Sequence, residues 1–240
     1  MTSSRTSREP DLPRHVAIVM DGNGRWAKQQ GVSRIKGHEA GAKSVRAVIE
    51  RCRELGGIKS LTLYAFSTEN WRRSKTEVSG LFRLLTKYIG LELDAMHAED
   101  IRVEFIGQRK GLAKNVLAEM DRARELTKSN RSMQVNFAVN YGARTEIADA
   151  CRAIAEEVAA GNIKPAKVDE DRIAARLYDP LSRDLDLLIR TGGHNRLSNF
   201  MLWQASYAEI VVQPVLWPDF RKEHLGAERE EFRARQRNCG

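Results

Sequence analysis

An apolar run from Val16 to Met20 ends at Asp21, and Gly22, Asn23, Gly24, Arg25 and Trp26 follow at once. Asp-Gly and Asn-Gly are hairpin-turn pairs, so a β-turn is one reading. The other is a site. A carboxylate at a strand end can hold a hard cation, and neighbouring glycines let backbone N–H groups close on phosphate. Trp26 to Gln30 reads as a helical turn stopped by Gly31 rather than as a returning strand. Other apolar runs end in the same way. "LTLYAFS" leads into Ser67, Thr68, Glu69, Asn70, Trp71, Arg72 and Arg73. "MQVNFAV" leads into Asn140-Tyr141-Gly142, and "LDLLI" into Arg190-Thr191-Gly192-Gly193, with Arg196 and Ser198 close behind. Taken singly, Ser67 or Asn70 is as well explained as a helix cap, and each arginine as a solvated charge. Gathered on one sheet edge, they favour a site.

The residue types say which chemistry that site would do. Arg25, Arg34, Arg73, Arg190 and Arg196 offer paired donors to phosphate oxygens. Asp21 is one of few carboxylates among them, which suits a cation bridging to diphosphate. Neither GxxxxGK[ST] nor GxGxxG is present, so a nucleoside triphosphatase or a dinucleotide enzyme has no support. Many phosphate binders beside much apolar surface suit an amphiphilic diphosphate.

These loops need elements to hold them. Strand-like runs, "HVAIVM", "SLTLYAFS", "VEFIG", "MQVNFAVNYG", "DLLIR" and "EIVVQPVLW", alternate with helical patterns over 38–55, 76–96, 111–128 and 144–160. That alternation predicts a single α/β domain, with a central, mainly parallel sheet flanked by helices. Ligands then sit at the carboxyl ends of the strands. The 76–96 segment is apolar on more than one face. It is either buried on two sides or packs one face on the sheet while the other lines an apolar cavity.

The 240 residues, 42% hydrophobic, are enough for one sizeable core. The net charge of +8 fits an anionic partner: nucleic acid, a membrane surface or a phosphorylated small molecule. A nucleic-acid binder would interleave aromatics with basic residues on an open face. Here the arginines follow strands beside glycine turns, so no nucleic-acid partner is expected. The three cysteines lie far apart with no CxxC pair, which favours a reducing compartment. Residues 1–14 are polar, lack the apolar core of a signal peptide and are expected to be flexible. No run of about 18 apolar residues could span a bilayer. A cytoplasmic protein is expected, with peripheral contact at the inner membrane face.

The chain resembles the cis-prenyltransferases, closely the bacterial undecaprenyl diphosphate synthases. The resemblance rests on "HVAIVMDGNGRWAKQQG", "GHEAGAKSV", "LTLYAFSTENWRRS", "NYGAR", "DLLIRTGG", "RLSNFMLWQASYAEI" and "LWPDF", spread in the family's order over roughly 14–220. It implies a catalytic domain over 15–240, built as a parallel sheet and helices around an apolar tunnel. It implies a Mg²⁺-dependent homodimer that adds isopentenyl diphosphate to farnesyl diphosphate with cis double bonds. By resemblance Asp21 is the catalytic aspartate and Mg²⁺ ligand. Gly22, Asn23, Gly24, Arg25 and Trp26, joined by Arg34 and His38, meet the allylic diphosphate. Asn70 assists proton removal, with Ser67, Thr68, Glu69, Trp71 and Arg73 around the substrates. Arg190, Arg196, Leu197 and Ser198 belong to the isopentenyl site, and Glu209 is an acid tied to metal and dimer interface.

Two departures accompany the resemblance. His194-Asn195 stands where close relatives often have an acid and a histidine, and the chain ends in "RQRNCG" where many have Arg-x-Gly before a tail. Ala65, small and just before the 67–73 loop, leaves room for a long product. Leu84, Leu85, Ile89 and Leu91 are expected as tunnel walls, and Met133, Val135 and Phe137 as its floor. A short- or medium-chain synthase, a non-catalytic partner subunit and a basic nucleic-acid binder are the alternatives.

Overall fold

In the computed structural model, which describes residues 13–179 and 184–234, the first strand sets the pattern for the rest. β1 (His15–Val19) is buried along its whole length. Val16 and Ile18 face one hydrophobic core, Ala17 and Val19 the other. A strand covered on both faces must be apolar at every position, which is why these runs lack a polar alternation. The chain continues through α1 (Asn23–Gln29), α2 (Arg34–Leu55), β2 (Ser60–Ser67), a 3₁₀ turn over Thr68–Arg72 and α3 (Lys75–Ala98). There follow β3 (Ile101–Ile106), α4 (Lys114–Thr127), β4 (Met133–Tyr141), α5 (Ala143–Ala159) and α6 (Glu170–Ala174). β5 (Leu187–Arg190), β6 (Glu209–Val212), a 3₁₀ turn over Trp217–Asp219 and α7 (Lys222–Ala234) complete it.

The six strands form one sheet in the order β3-β4-β2-β1-β5-β6, and every pairing is parallel. The expected mainly parallel α/β architecture is thus met, with no antiparallel pair among the described residues. Parallel pairing sends all carboxyl ends to one edge. The chain winds outward from β1 through β2, then crosses to the other side of β1 with β5, so the sheet reverses direction at its centre.

Side chains of α2, α3, α4 and α7 pack on one face of the sheet. α5 and the segment Phe200–Ala205 cover the other. Ser74 caps α3, its Oγ accepting from the Glu77 N–H at 3.2 Å. α3 carries two apolar stripes. Val78, Phe82, Ile89, Leu93 and Met96 are buried in the core, while Leu81, Leu84, Leu85 and Tyr88 line a cavity. The second reading of the 76–96 segment is therefore the observed one. No described helix is long and apolar enough to cross a membrane. The "RQRNCG" end and residues 1–12 lie outside the described residues.

Candidate active site

Asp21 and Arg190 leave neighbouring strands, with Val19 in register with Arg190. The side chains meet at the sheet's central edge: Arg190 Nη2 donates to Asp21 Oδ2 at 2.7 Å. Arg190 Nη1 donates to the Arg196 carbonyl at 2.6 Å and to Ser198 Oγ at 2.7 Å. The guanidinium is only 5% exposed, and its Nε has no hydrogen-bond partner among the described residues. Ser198 and Asn199 hold left-handed backbone conformations, φ 53° and 60°, strain that is commonly tolerated at functional sites. Burial alone would raise the Asp21 carboxyl. The Arg190 hydrogen bond and charge, with Arg25 and His194 behind them, outweigh burial and hold it below the usual carboxylate range.

Gly22 opens α1, so the layout is strand, turn and helix, not a hairpin. Its φ of 116° is one that side-chain-bearing residues avoid, and a Cβ there would come within 3.0 Å of Leu216. On the next turn Arg25 Nη1 donates to the Gly192 carbonyl at 2.7 Å, and Nη2 stands 3.4 Å from Asp21 Oδ1. A Cβ on Gly192 would overlap that guanidinium, which explains why the "RTGG" loop carries glycine there.

Met20, Asp21, Gly22, Asn23, Gly24, Arg25, Arg34, His38 and Arg73 line a single polar cradle, with Lys28. Lys28 was missed in the sequence, although it lies three residues after Arg25 and so shares its helix face. Glu77 pairs with Arg73 at 2.8 Å and with Arg34 at 3.6 Å. Burial, then the charges of Arg73 and Arg34, lower the His38 pKa to about 4 against the pull of Glu77. At neutral pH His38 is therefore an uncharged hydrogen-bonding group in the cradle, not one of its cations.

The cradle opens into an apolar chamber of about 160 Å³ between α2, α3 and the sheet. Met20, Asn23, His38 and Arg73 line both spaces. Ala65 lines the chamber, as expected. So do its neighbours Tyr64 and Phe66, because the β2–β4 register slips there and breaks the in–out alternation. Leu84, Leu85 and Phe137 also line it. Four of the expected wall and floor residues do not. Ile89, Met133 and Val135 point into the solid core, and Leu91 is 69% exposed on the outer face of α3. Across the outer end of the α2–α3 seam, Arg46 reaches Glu92 at 3.1 Å and Arg53 reaches Glu99 at 2.9 Å.

The 67–73 loop sits over the mouth. Asn70 lines the chamber, and its Oδ1 accepts from the Ser67 N–H at 3.1 Å, so one residue both caps the turn and faces the cavity. Trp71 donates to Asn140 Oδ1 at 2.7 Å and packs beside Phe66 and Phe82. Glu69 accepts from Thr68 at 3.2 Å and from Asn199 at 2.9 Å, tying this loop to the one after β5.

Three expected site residues stand apart. Trp26 donates to Asp219 at 2.9 Å and is not among the cradle residues. Leu197 packs against the second core. Glu209 is in register with Leu187, three residues before Arg190, about 10 Å back along the strand pair. Within one chain it is at the wrong end of β6 to share a metal with Asp21. His194, missed as a site residue, places Nδ1 3.2 Å from Asp21 Oδ2 and 3.3 Å from Arg25. Residue 194, not 195, is thus the one that touches the aspartate.

Among the described residues no three His, Cys, Asp or Glu side chains converge to hold a metal. The donor set still fits Mg²⁺, which is commonly held by one carboxylate plus substrate phosphates and water. Asp21 lines the cradle beside its cations and is the carboxylate that would hold such an ion.

A family model described as "Putative undecaprenyl diphosphate synthase" matches residues 19–240. The chain is 50% identical over 229 residues to the trans,polycis-polyprenyl diphosphate synthase ((2Z,6E)-farnesyl diphosphate specific) of Thermobifida fusca, covering 95% of this chain and 81% of that one. It is 48% identical to the decaprenyl diphosphate synthase of Mycobacterium tuberculosis, covering 95% and 77%. Among solved structures, lavandulyl diphosphate synthase from Lavandula x intermedia, in complex with dimethylallyl diphosphate, superposes with a TM-score of 0.92. The identity there is 35%, over 95% of this chain and 98% of that one.

Proposed function

The chain belongs to the cis-prenyltransferase family, and from that premise we propose that it condenses isopentenyl diphosphate onto farnesyl diphosphate to give a long (Z)-polyprenyl diphosphate. We place the product in the undecaprenyl class, the precursor of the lipid carrier for cell-wall polysaccharides. One observation carries the reading: the polar cradle and the apolar chamber share Met20, Asn23, His38 and Arg73 in their linings, so the place for a diphosphate runs directly into the place where its tail begins.

In this reading Arg25, Arg34, Arg73 and the N–H groups after Gly22 bind the allylic diphosphate. Asp21 and diphosphate oxygens would hold Mg²⁺, which, when bound, neutralises charge on the departing diphosphate. The allylic C–O bond breaks, the isopentenyl double bond supplies the electrons of the new C–C bond, and the resulting cation loses a proton from the isopentenyl unit to an oxygen of the released diphosphate. Asn70, a neutral amide, orients that unit and does not itself carry the proton. Arg190 and Arg196 hold the isopentenyl diphosphate.

Incubation with farnesyl diphosphate, labelled isopentenyl diphosphate and Mg²⁺ should give a ladder ending near the eleven-isoprene class. Absence of any labelled product would overturn the activity. Ala65→Leu puts a branched side chain into the chamber and is expected to shorten the mean product by at least one isoprene unit. An unchanged ladder would remove Ala65 from length control. A medium-chain product is the second reading, favoured by the small volume of the chamber.

We also propose a homodimer. β6 is an edge strand with Ile210 42% exposed, and Tyr207 beside it is 76% exposed, a combination that invites pairing with a second copy. Light scattering is expected to show two chains, and a fully active monomer would rule this out. Product release would need an apolar acceptor phase, and the net charge of +8 suits an anionic membrane face.

A further inference from the structure

Two cavities meet at one side chain. Tyr88 and Phe137 both line the apolar chamber, their rings 6.1 Å apart and 66° to one another. Further along the same helices lies a small pocket of about 20 Å³, lined by Arg46, Ile49, Glu50, Glu92, Ala95 and Met96 among others. Tyr88 lines this pocket too, and among the described residues it alone is common to the two linings. Its hydroxyl is buried and has no hydrogen-bond partner among the described residues. Burial, then the Glu92 charge, push the phenol above its ordinary range, so it stays a neutral group beside the ionic rim.

An unpaired buried hydroxyl is unfavourable, and phenylalanine would fill the same space without it. The location explains the residue type: apolar lining ends at the ring, and a charged rim begins just past the oxygen. A chain growing by head addition drives its first-made end deeper with each cycle. The chamber, at about 160 Å³, is near the roughly 150 Å³ that accommodates one benzene in an engineered cavity. A long tail therefore needs the chamber walls to part around it, and the inner wall at the far end sets how deep it can run.

We propose that Tyr88 is a specificity-determining residue for product length: its ring is the stop that the advancing end meets between α2 and α3. The proposal rests on the chain-elongating activity assigned above. It concerns the depth available to the product and no step of bond formation. Removing the ring joins the chamber to the outer pocket and lengthens the space along its axis.

The experiment is product sizing with farnesyl diphosphate and labelled isopentenyl diphosphate for wild type, Tyr88→Ala, Tyr88→Leu and Tyr88→Phe. Primer KM and Tm are measured alongside. Tyr88→Ala and Tyr88→Leu should add at least one isoprene unit to the mean product, at a primer KM within about twofold of wild type. Tyr88→Phe keeps the ring and should keep the wild-type length. If Tyr88→Ala does not fold, Tyr88→Leu decides alone, since leucine retains apolar bulk and helix propensity. Unchanged or shorter products from the leucine variant overturn the proposal, as does a Tyr88→Phe variant that lengthens products equally. An inactive wild type defeats the activity and this proposal with it, whereas an active wild type with indifferent Tyr88 variants defeats only the role of Tyr88.

Discussion

Replacing Asp21 by alanine should leave the fold intact and lower turnover by about 10²–10³-fold. The carboxylate stands 28% exposed at the sheet edge, so the strand behind it does not depend on it for packing. Arg190 would keep its bonds to the Arg196 carbonyl and Ser198 Oγ, which limits the damage of losing its anionic partner. What disappears is the negative charge that faces Arg25, Arg190 and His194 and that the proposed cation on the diphosphate would need. An electrostatic contribution of that kind is worth roughly 3–4 kcal/mol in the transition state. Asp21→Asn separates the parts of the effect. It retains an acceptor for Arg190 but no charge, so it should be nearly as slow as alanine and closer to wild type in Tm. Circular dichroism with steady-state kinetics checks both. A folded Asp21→Ala enzyme within about twofold of wild-type kcat would mean that the aspartate is not the catalytic carboxylate.

Arg190→Ala comes second in expected effect, and it acts on more than one subsite. Had the arginine served only the isopentenyl diphosphate, its loss would have spared the primer. Because Nη2 is bonded to Asp21 at 2.7 Å, removing it also frees the aspartate from the group that holds its orientation and lowers its pKa. Truncating one partner of a buried, hydrogen-bonded charge pair costs about 2–5 kcal/mol. At 1.4 kcal/mol per tenfold, that is roughly 30-fold or more in kcat/KM for both substrates. Arg190→Lys keeps the charge but not the fork and should recover little. Arg196 offers the cleaner contrast: its side chain is exposed, and only its backbone carbonyl serves Arg190. Arg196→Ala should weaken isopentenyl diphosphate binding by about tenfold or more, a charged hydrogen bond's worth, with farnesyl diphosphate affinity unchanged. Separate titrations test it, and equal losses for the two ligands would merge the subsites.

The strand ends could be read from the sequence because each apolar run stops abruptly at polar or glycine residues, and a parallel sheet gathers such ends on one edge. Helices showed through their periodicity, and the double stripe of α3 already suggested that one face looked into a cavity. The Asp21–Arg190 contact was hidden. It depends on β5 crossing back to lie beside β1, a pairing between residues 169 positions apart that local pattern cannot express. His194 was overlooked for a related reason, since a loop with glycines at φ 82° and 73° can aim either 194 or 195 at the aspartate. Ile89, Met133 and Val135 were misassigned because core and cavity walls draw on the same residue types. Tyr64 to Phe66 needed a register slip that leaves no mark in composition.

The ionic pairs at the outer end of the α2–α3 seam bear on how the protein carries its cargo. Solvent-exposed pairs such as Arg46–Glu92 and Arg53–Glu99 contribute only about 0–1 kcal/mol each. Burying five more carbons, at about 0.8 kcal/mol per CH₂, releases on the order of 4 kcal/mol. Every condensation thus liberates more free energy than either clasp can resist. A wall fastened so loosely is expected to act as an expandable sleeve. Its girth would follow the load within it, so the protein would not have to keep a large dry void open in order to handle a large lipid.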